Sequence, residues 1–263
     1  MRSTNMSYLN PRTVILIGIP ELENVQFWIG FPFFALCLVG LLGNILLLII
    51  IPMERSLHQP TYIFLAVLAA TDLGLCVAIA PKMLAIFWFG SCSMAFDTCL
   101  TQLFFVHALQ GMESGMLLAM AFDCYIAICH PLRHTSILTP FFLVQVVLMA
   151  AIWATVLVGI LPILLRQLKL FHSLVIVHSY CEHMAVVKMA AEDVYINKSY
   201  GLFVAFAILG HRFGHVSPYV HILLSTIYLL VPPAFNPIVY AVKTKDIRIK
   251  VAQVFMLKLD TQQ

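Results

Sequence analysis

From Phe27 to Pro52 the chain runs for 26 residues without a charged side chain. That is too long for an ordinary core helix, and it suffices to cross a hydrocarbon layer of about 30 Å, which takes roughly 20 residues at 1.5 Å each. Four more segments reach that length between polar or proline punctuation: Tyr62 to Ala80, Cys99 to Ala121, Phe141 to Leu164 and Val220 to Ala241. A sixth, Gly201 to Gly210, is apolar but reaches only about 15 Å as a helix, and its continuation His211-Arg212-Phe213-Gly214-His215 is polar. The expected fold is all-α: a polytopic transmembrane helix bundle with five full spans and one short stub. Composition agrees, because 62% hydrophobic and 10% charged residues stand far from the soluble norm of about 45–50% and 25%. A net charge of +3, with no block of five or six Lys and Arg, excludes a nucleic-acid footprint.

The first 26 residues include Pro11, Pro20, Glu21 and Glu23 and do not read as a signal peptide, so the first span is expected to do the targeting. Lys and Arg divide seven against eight across the expected membrane, but five lie between Lys243 and Lys258. That cluster places residues 242–263 in the cytoplasm as a tail with an amphipathic helix. Residues 1–26 are then extracellular, and 27–241 form the bundle. Asn5-Met6-Ser7 and Asn197-Lys198-Ser199 match the N-glycosylation pattern, and the four expected spans between Asn5 and Asn197 put both on one face. With the N-terminus outside and the C-terminus inside, the number of crossings is odd.

Charges inside a span cost roughly 2.5–3.5 kcal/mol each, so intramembrane acids are candidate functional groups. Asp72 and Glu113 lie in the middle of the second and third spans, where antiparallel neighbours bring carboxyls together at mid-depth. Either they share a sodium ion or proton, with Asn236 as an oxygen ligand, or they form a protonated, hydrogen-bonded packing pair. Asn44, Asn236 and Ser225 read as interhelical hydrogen-bond partners, and Pro237 as a kink. The seven cysteines include no C-x-x-C pair and make no zinc site. Cys99 and Cys181 both fall on the expected extracellular side, where a disulfide would tie the third span to the long loop from Arg166 to Ser199.

Several segments carry a family resemblance: Leu42-Gly43-Asn44, Pro81-Lys82-Met83-Leu84-Ala85, the run from Met120 to Leu132, and Asn236-Pro237-Ile238-Val239-Tyr240. From about Ile17 to Lys250 the chain resembles an olfactory receptor. Leu65 to Asp72 and Tyr180-Cys181-Glu182-His183-Met184 are similar to the class I, fish-like branch. The resemblance implies a rhodopsin-like bundle that binds small volatile odorants and signals through a stimulatory heterotrimeric G protein. It implies that Cys99 pairs with Cys181 and that Asp72 and Glu113 belong to a sodium pocket. It further implies that Asp123 and Tyr125 bound the cytoplasmic end of the third helix, and that Tyr240 moves inward on activation. Ligand contacts are expected in the outer third from His107, one helical turn before Gln110, from His183 in the loop, and from Arg212. A guanidinium there suits carboxylic acids.

The sequence also departs from the family. After Gly210 it passes directly to what resembles the outer end of the sixth helix, omitting the rest of the fifth helix, the third intracellular loop and nearly all of the sixth. Cys124 stands where the family carries arginine, and Phe171 and Ala191 stand where members often carry two further cysteines. Two functions follow as expectations: a signalling odorant receptor at the plasma membrane, or a truncated, non-signalling receptor that is retained in the endoplasmic reticulum or associates with intact receptors. A membrane metal enzyme built on His130/His134 and His211/His215 is opposed by topology, since the two pairs fall on opposite faces. The chain is not expected to be an enzyme.

Overall fold

The structure, a computed structural model, describes residues 8, 9, 11–20, 22, 24–54, 59–209 and 231–239. Asn5, Arg212, Ser225, Tyr240 and the tail lie outside these residues.

Four long helices dominate: α1 (Gln26–Met53), α2 (Pro60–Phe89), α3 (Phe96–Cys129) and, beyond the short α4 (His134–Ile137), α5 (Pro140–Gln167). Each is long and apolar enough to cross a membrane. The loop helix α6 (His183–Val187) and the shorter α7 (Tyr195–Leu209) follow, and residues 231–239 are again helical. Packing proceeds α1 on α2, α2 on α3 and α3 on α5, with α7 against α3 and α5.

The helices overrun the apolar segments that define them. Helix α2 continues nine residues beyond Ala80, through Pro81 and on to Phe89. A proline inside a membrane helix is tolerated because neighbouring groups satisfy the backbone it frees, so Pro81 does not end the helix. What ends it is Gly90, whose φ of +61° is a left-handed conformation that glycine adopts without a Cβ penalty. There Gly90 N–H donates to Ile86 O and Ser91 N–H to Ala85 O, the paired closure of a glycine C-cap. Helix α5 begins with Pro140 after Thr139, whose Oγ1 accepts from Phe142 N–H at 3.3 Å, a side-chain N-cap.

Five short strands form a lid over one end of this bundle. β1 (Tyr8–Leu9) pairs with β4 (Leu170–Phe171), while β2 (Thr13–Leu16) is antiparallel to β3 (Ser93–Ala95) and parallel to β5 (Val175–Ile176). Val14 and Leu16 alternate inward along β2 and are fully buried, the period-two pattern of a half-buried strand. They join Ile79, Met83, Leu103, Val106, Leu161 and Leu165 of the helices in one apolar cluster. A second cluster, including Leu47, Phe64, Leu68, Met116 and Leu143, fills the other end. Along α1, α2 and α3 the chain passes from one cluster to the other at Asn44, Asp72 and Glu113, so a polar belt separates two apolar cores.

Candidate functional site

The belt is built by cross-helix bonds. Asp72 is 0% exposed, and its Oδ2 accepts from Asn236 Nδ2 at 3.0 Å. Asn44 Nδ2 donates to Gly40 O at 2.9 Å within its own helix and to Pro233 O at 2.8 Å. Both expected hydrogen-bonding asparagines thus bridge helices, and residues 233–237 dock against α1 and α2. Among the described residues, Asp72 Oδ1 and Asn44 Oδ1 are buried without a hydrogen-bond partner. A buried oxygen left unsatisfied costs about 1–3 kcal/mol, and these two, one carboxylate oxygen and one amide oxygen, are of the type that suits a hard cation. Glu113 is half-buried on α3, the helix that packs against α2.

At the lid end, Cys99 in the first turn of α3 and Cys181 form a disulfide with Cα atoms 5.4 Å apart. Gln102, one turn further on, reinforces it in a way the sequence alone did not suggest. Its Nε2 donates to Ala78 O of α2 at 2.8 Å, and its Oε1 accepts from Cys181 N–H at 3.1 Å. One amide side chain therefore ties two helices to the loop. His183 is buried at the start of α6, following Glu182, whose carboxylate accepts from Ala185 N–H at 2.8 Å. The His183 ring lies so close to Gly201 of α7 that a Cβ built there would sit 2.5 Å from Cε1 and 2.6 Å from Nδ1. His107 Nδ1 is bonded to Leu103 O, one turn back on its own helix, at 2.9 Å. Gln110, half-buried, accepts Ser114 Oγ through its backbone carbonyl at 3.0 Å. His107 and Gln110 thus lie along α3, and His183 packs on α7.

Asn197 is buried at 5% exposure in the first turn of α7, with Oδ1 lacking a hydrogen-bond partner among the described residues. This differs from the exposed acceptor that its tripeptide suggests. The pattern Asn-Lys-Ser carries no information about which way a helical side chain faces, and here it faces the protein.

At the opposite end, the buried Asp123 carboxylate is held from two sides. Thr61 Oγ1, in the first turn of α2, donates to Oδ2, and His134 Nε2 lies 2.8 Å from Oδ1. Thr61 is not marked by any sequence pattern, and His134, spaced with His130 as a possible ligand pair, instead bonds Asp123. A motif reading directs attention to position 124, where Cys124 is exposed and supplies no guanidinium. Tyr125 is exposed and meets His130 edge-on, ring centroids 6.2 Å apart. Pro237 is buried.

Helices of this length and apolarity, packed in this order, make the chain a multi-pass membrane protein of the rhodopsin-like receptor class, which is not enzymatic. The olfactory receptor family model matches residues 33–210 and again 206–258, and the chain belongs to that family. It is 45% identical to olfactory receptor 52A1 of Homo sapiens over 310 aligned positions, covering 97% of this chain and 99% of the relative. It is 47% identical to olfactory receptor 52A5 of Homo sapiens over 313 positions, 98% and 99% of the two chains. With olfactory receptor 51E2 of Rattus norvegicus the identity is 39% over 314 positions, 99% and 97%. These alignments are longer than the 263-residue chain, so the relatives carry positions that have no counterpart here. The family match breaks at residues 206–210, where α7 ends. The bundle is therefore a truncated version of the family's.

Proposed function

We propose that the chain is an odorant receptor whose recognition half is built and whose transduction half is not. In this reading it binds small volatile molecules, carboxylic acids among them, in the outer third near His107, Gln110, His183 and Arg212, and does not itself activate a stimulatory G protein. The observation that supports it most is the break in the family match at 206–210 in a chain shorter than its own alignments. The omitted stretch corresponds to the helix whose outward movement opens the G-protein groove, and Cys124 removes the cation expected beside Asp123. In this reading the lid end, with the N-terminal strands, is extracellular, because a disulfide there belongs on the oxidising side of the membrane, and the basic cluster from Lys243 to Lys258 puts the tail in the cytoplasm. Such a protein either stays in the endoplasmic reticulum or pairs with intact receptors.

Asp72, with Asn44, Asn236 and Glu113 around it, holds a sodium ion in this proposal. The support is the unsatisfied Asp72 Oδ1 and Asn44 Oδ1 within a belt of oxygen donors.

A second reading, a receptor that signals at the plasma membrane, is favoured by the retention of Asp123, Tyr125, Pro237 and Tyr240. Thermal unfolding of the purified chain against a panel of short carboxylic acids and alcohols tests the recognition half. A raised midpoint with some members of the panel supports it, since a ligand binding only the folded state at 100 times its Kd stabilises by about 2.7 kcal/mol. A midpoint that no member moves overturns it.

A further inference from the structure

The lid-side ends of α3 and α5 form an open cleft of about 370 Å3 that the odorant and cation readings do not use. One wall is Asp97, Leu100 and Phe104, spaced to share a face of α3, and the other is Pro162, Ile163 and Arg166 of α5. The charges stand at the rim. Arg166 Nη2 lies 3.3 Å from Asp97 Oδ1, and the two side chains are 73% and 75% exposed. Below them, down to Phe104 at about 10 Å along the helix, the cleft is apolar apart from Thr101, whose hydroxyl donates to Asp97 O at 2.8 Å.

This pair is poorly consumed by the protein itself. At 3.3 Å it is longer than the roughly 2.7–2.9 Å of a charge-assisted hydrogen bond, and an ion pair this exposed contributes little to stability, because both groups remain solvated. The guanidinium keeps donors free of Asp97, and Asp97 keeps an oxygen free of Arg166. A cation and an anion side by side over an apolar slot complement a ligand with the same three parts. We propose that this cleft binds one zwitterionic glycerophospholipid of the exoplasmic leaflet, its phosphate on Arg166, its ammonium on Asp97 and an acyl chain against Leu100, Phe104 and Ile163.

A fatty acid or an anionic lipid satisfies Arg166 and is repelled by Asp97, so charge complementarity selects the zwitterion. The leaflet follows from Cys99, two residues after Asp97, whose disulfide marks the oxidising side. This assignment rests on the proposed orientation but not on signalling, because the lumenal leaflet of the endoplasmic reticulum and the outer leaflet of the plasma membrane both face that side.

The test is photo-crosslinking of the full chain in cell membranes with a diazirine-bearing phosphatidylcholine, followed by peptide mapping. The expected adducts fall on the segments containing Leu100 to Phe104 and Pro162 to Arg166. Asp97→Asn and Arg166→Gln each lower labelling there by about fivefold, the scale of one charge-assisted contact in a wet site. Phe104→Trp, which fills the slot and leaves the rim charges, lowers it as well. On the unaltered protein, excess phosphatidylcholine competes and phosphatidylglycerol does not, a readout independent of whether any variant folds. Adducts spread evenly over the helices, labelling unchanged in the rim variants, or equal competition by phosphatidylglycerol overturns the proposal.

Discussion

Asp72 and Asn236, 164 residues apart, meet through a single hydrogen bond of 3.0 Å between Asn236 Nδ2 and Asp72 Oδ2. The bond joins the helical segment 231–239 to α2 at the depth where the two apolar cores separate. If the remaining Asp72 oxygen serves a sodium ion, unfolding of the purified chain shifts to higher temperature in sodium chloride relative to choline chloride. Asp72→Asn abolishes the difference. At ten times the dissociation constant the shift corresponds to about 1.4 kcal/mol, and equal midpoints in the two salts in the unaltered protein refute the cation site.

Gly201→Ala places a methyl group 2.5 Å from the His183 ring. Overpacking of this kind costs about 1–3 kcal/mol, so the thermal midpoint falls. Adding His183→Ala opens the space and recovers part of the loss. A double variant no more stable than Gly201→Ala alone contradicts the contact.

Burial of Asn197 predicts that Asn197→Gln leaves the electrophoretic mobility of the expressed chain unchanged before and after glycosidase treatment. A mobility shift caused by Asn197→Gln shows a glycan there and contradicts the placement.

His134→Ala removes one of the two groups that hold the buried Asp123 carboxylate. Leaving a buried acceptor short of a partner costs about 1–3 kcal/mol, read as a lowered unfolding temperature. Loosening at this end of α3 is also expected to speed alkylation of the neighbouring Cys124. A variant with the parent's midpoint rules out a structural role for the contact.

The sequence made much of this architecture legible, for identifiable reasons. Membrane spans announce themselves because lipid demands long apolar runs, and the segments around Phe27, Tyr62, Cys99 and Phe141 each lie within a long helix. The span pattern puts Cys99 and Cys181 on one side of the membrane, the family resemblance implies that they pair, and the structure joins them. Helix ends were less legible, because Pro81 resembles a terminator in water and is an interior residue here, with Gly90 closing the helix nine residues later. The lid was not anticipated, since strands of two to four residues are shorter than any period-two pattern can establish. No sequence pattern marks Gln102, and His134 stands out only through its H-x-x-x-H spacing with His130, because the roles of both depend on Ala78, Cys181 and Asp123, brought beside them only by folding.

Cyclic AMP measurement in cells where surface delivery of the chain has been verified separates a recognition half without its transducing half from a complete receptor. One sample carries the parent chain. The other carries Cys124→Arg together with the segment of olfactory receptor 52A1 that has no counterpart after Gly210. The parent chain is expected to give no rise in cyclic AMP with any member of an acid and alcohol panel, and the restored chain a rise with at least one. A response of equal size from the parent chain contradicts the loss of the transducing half.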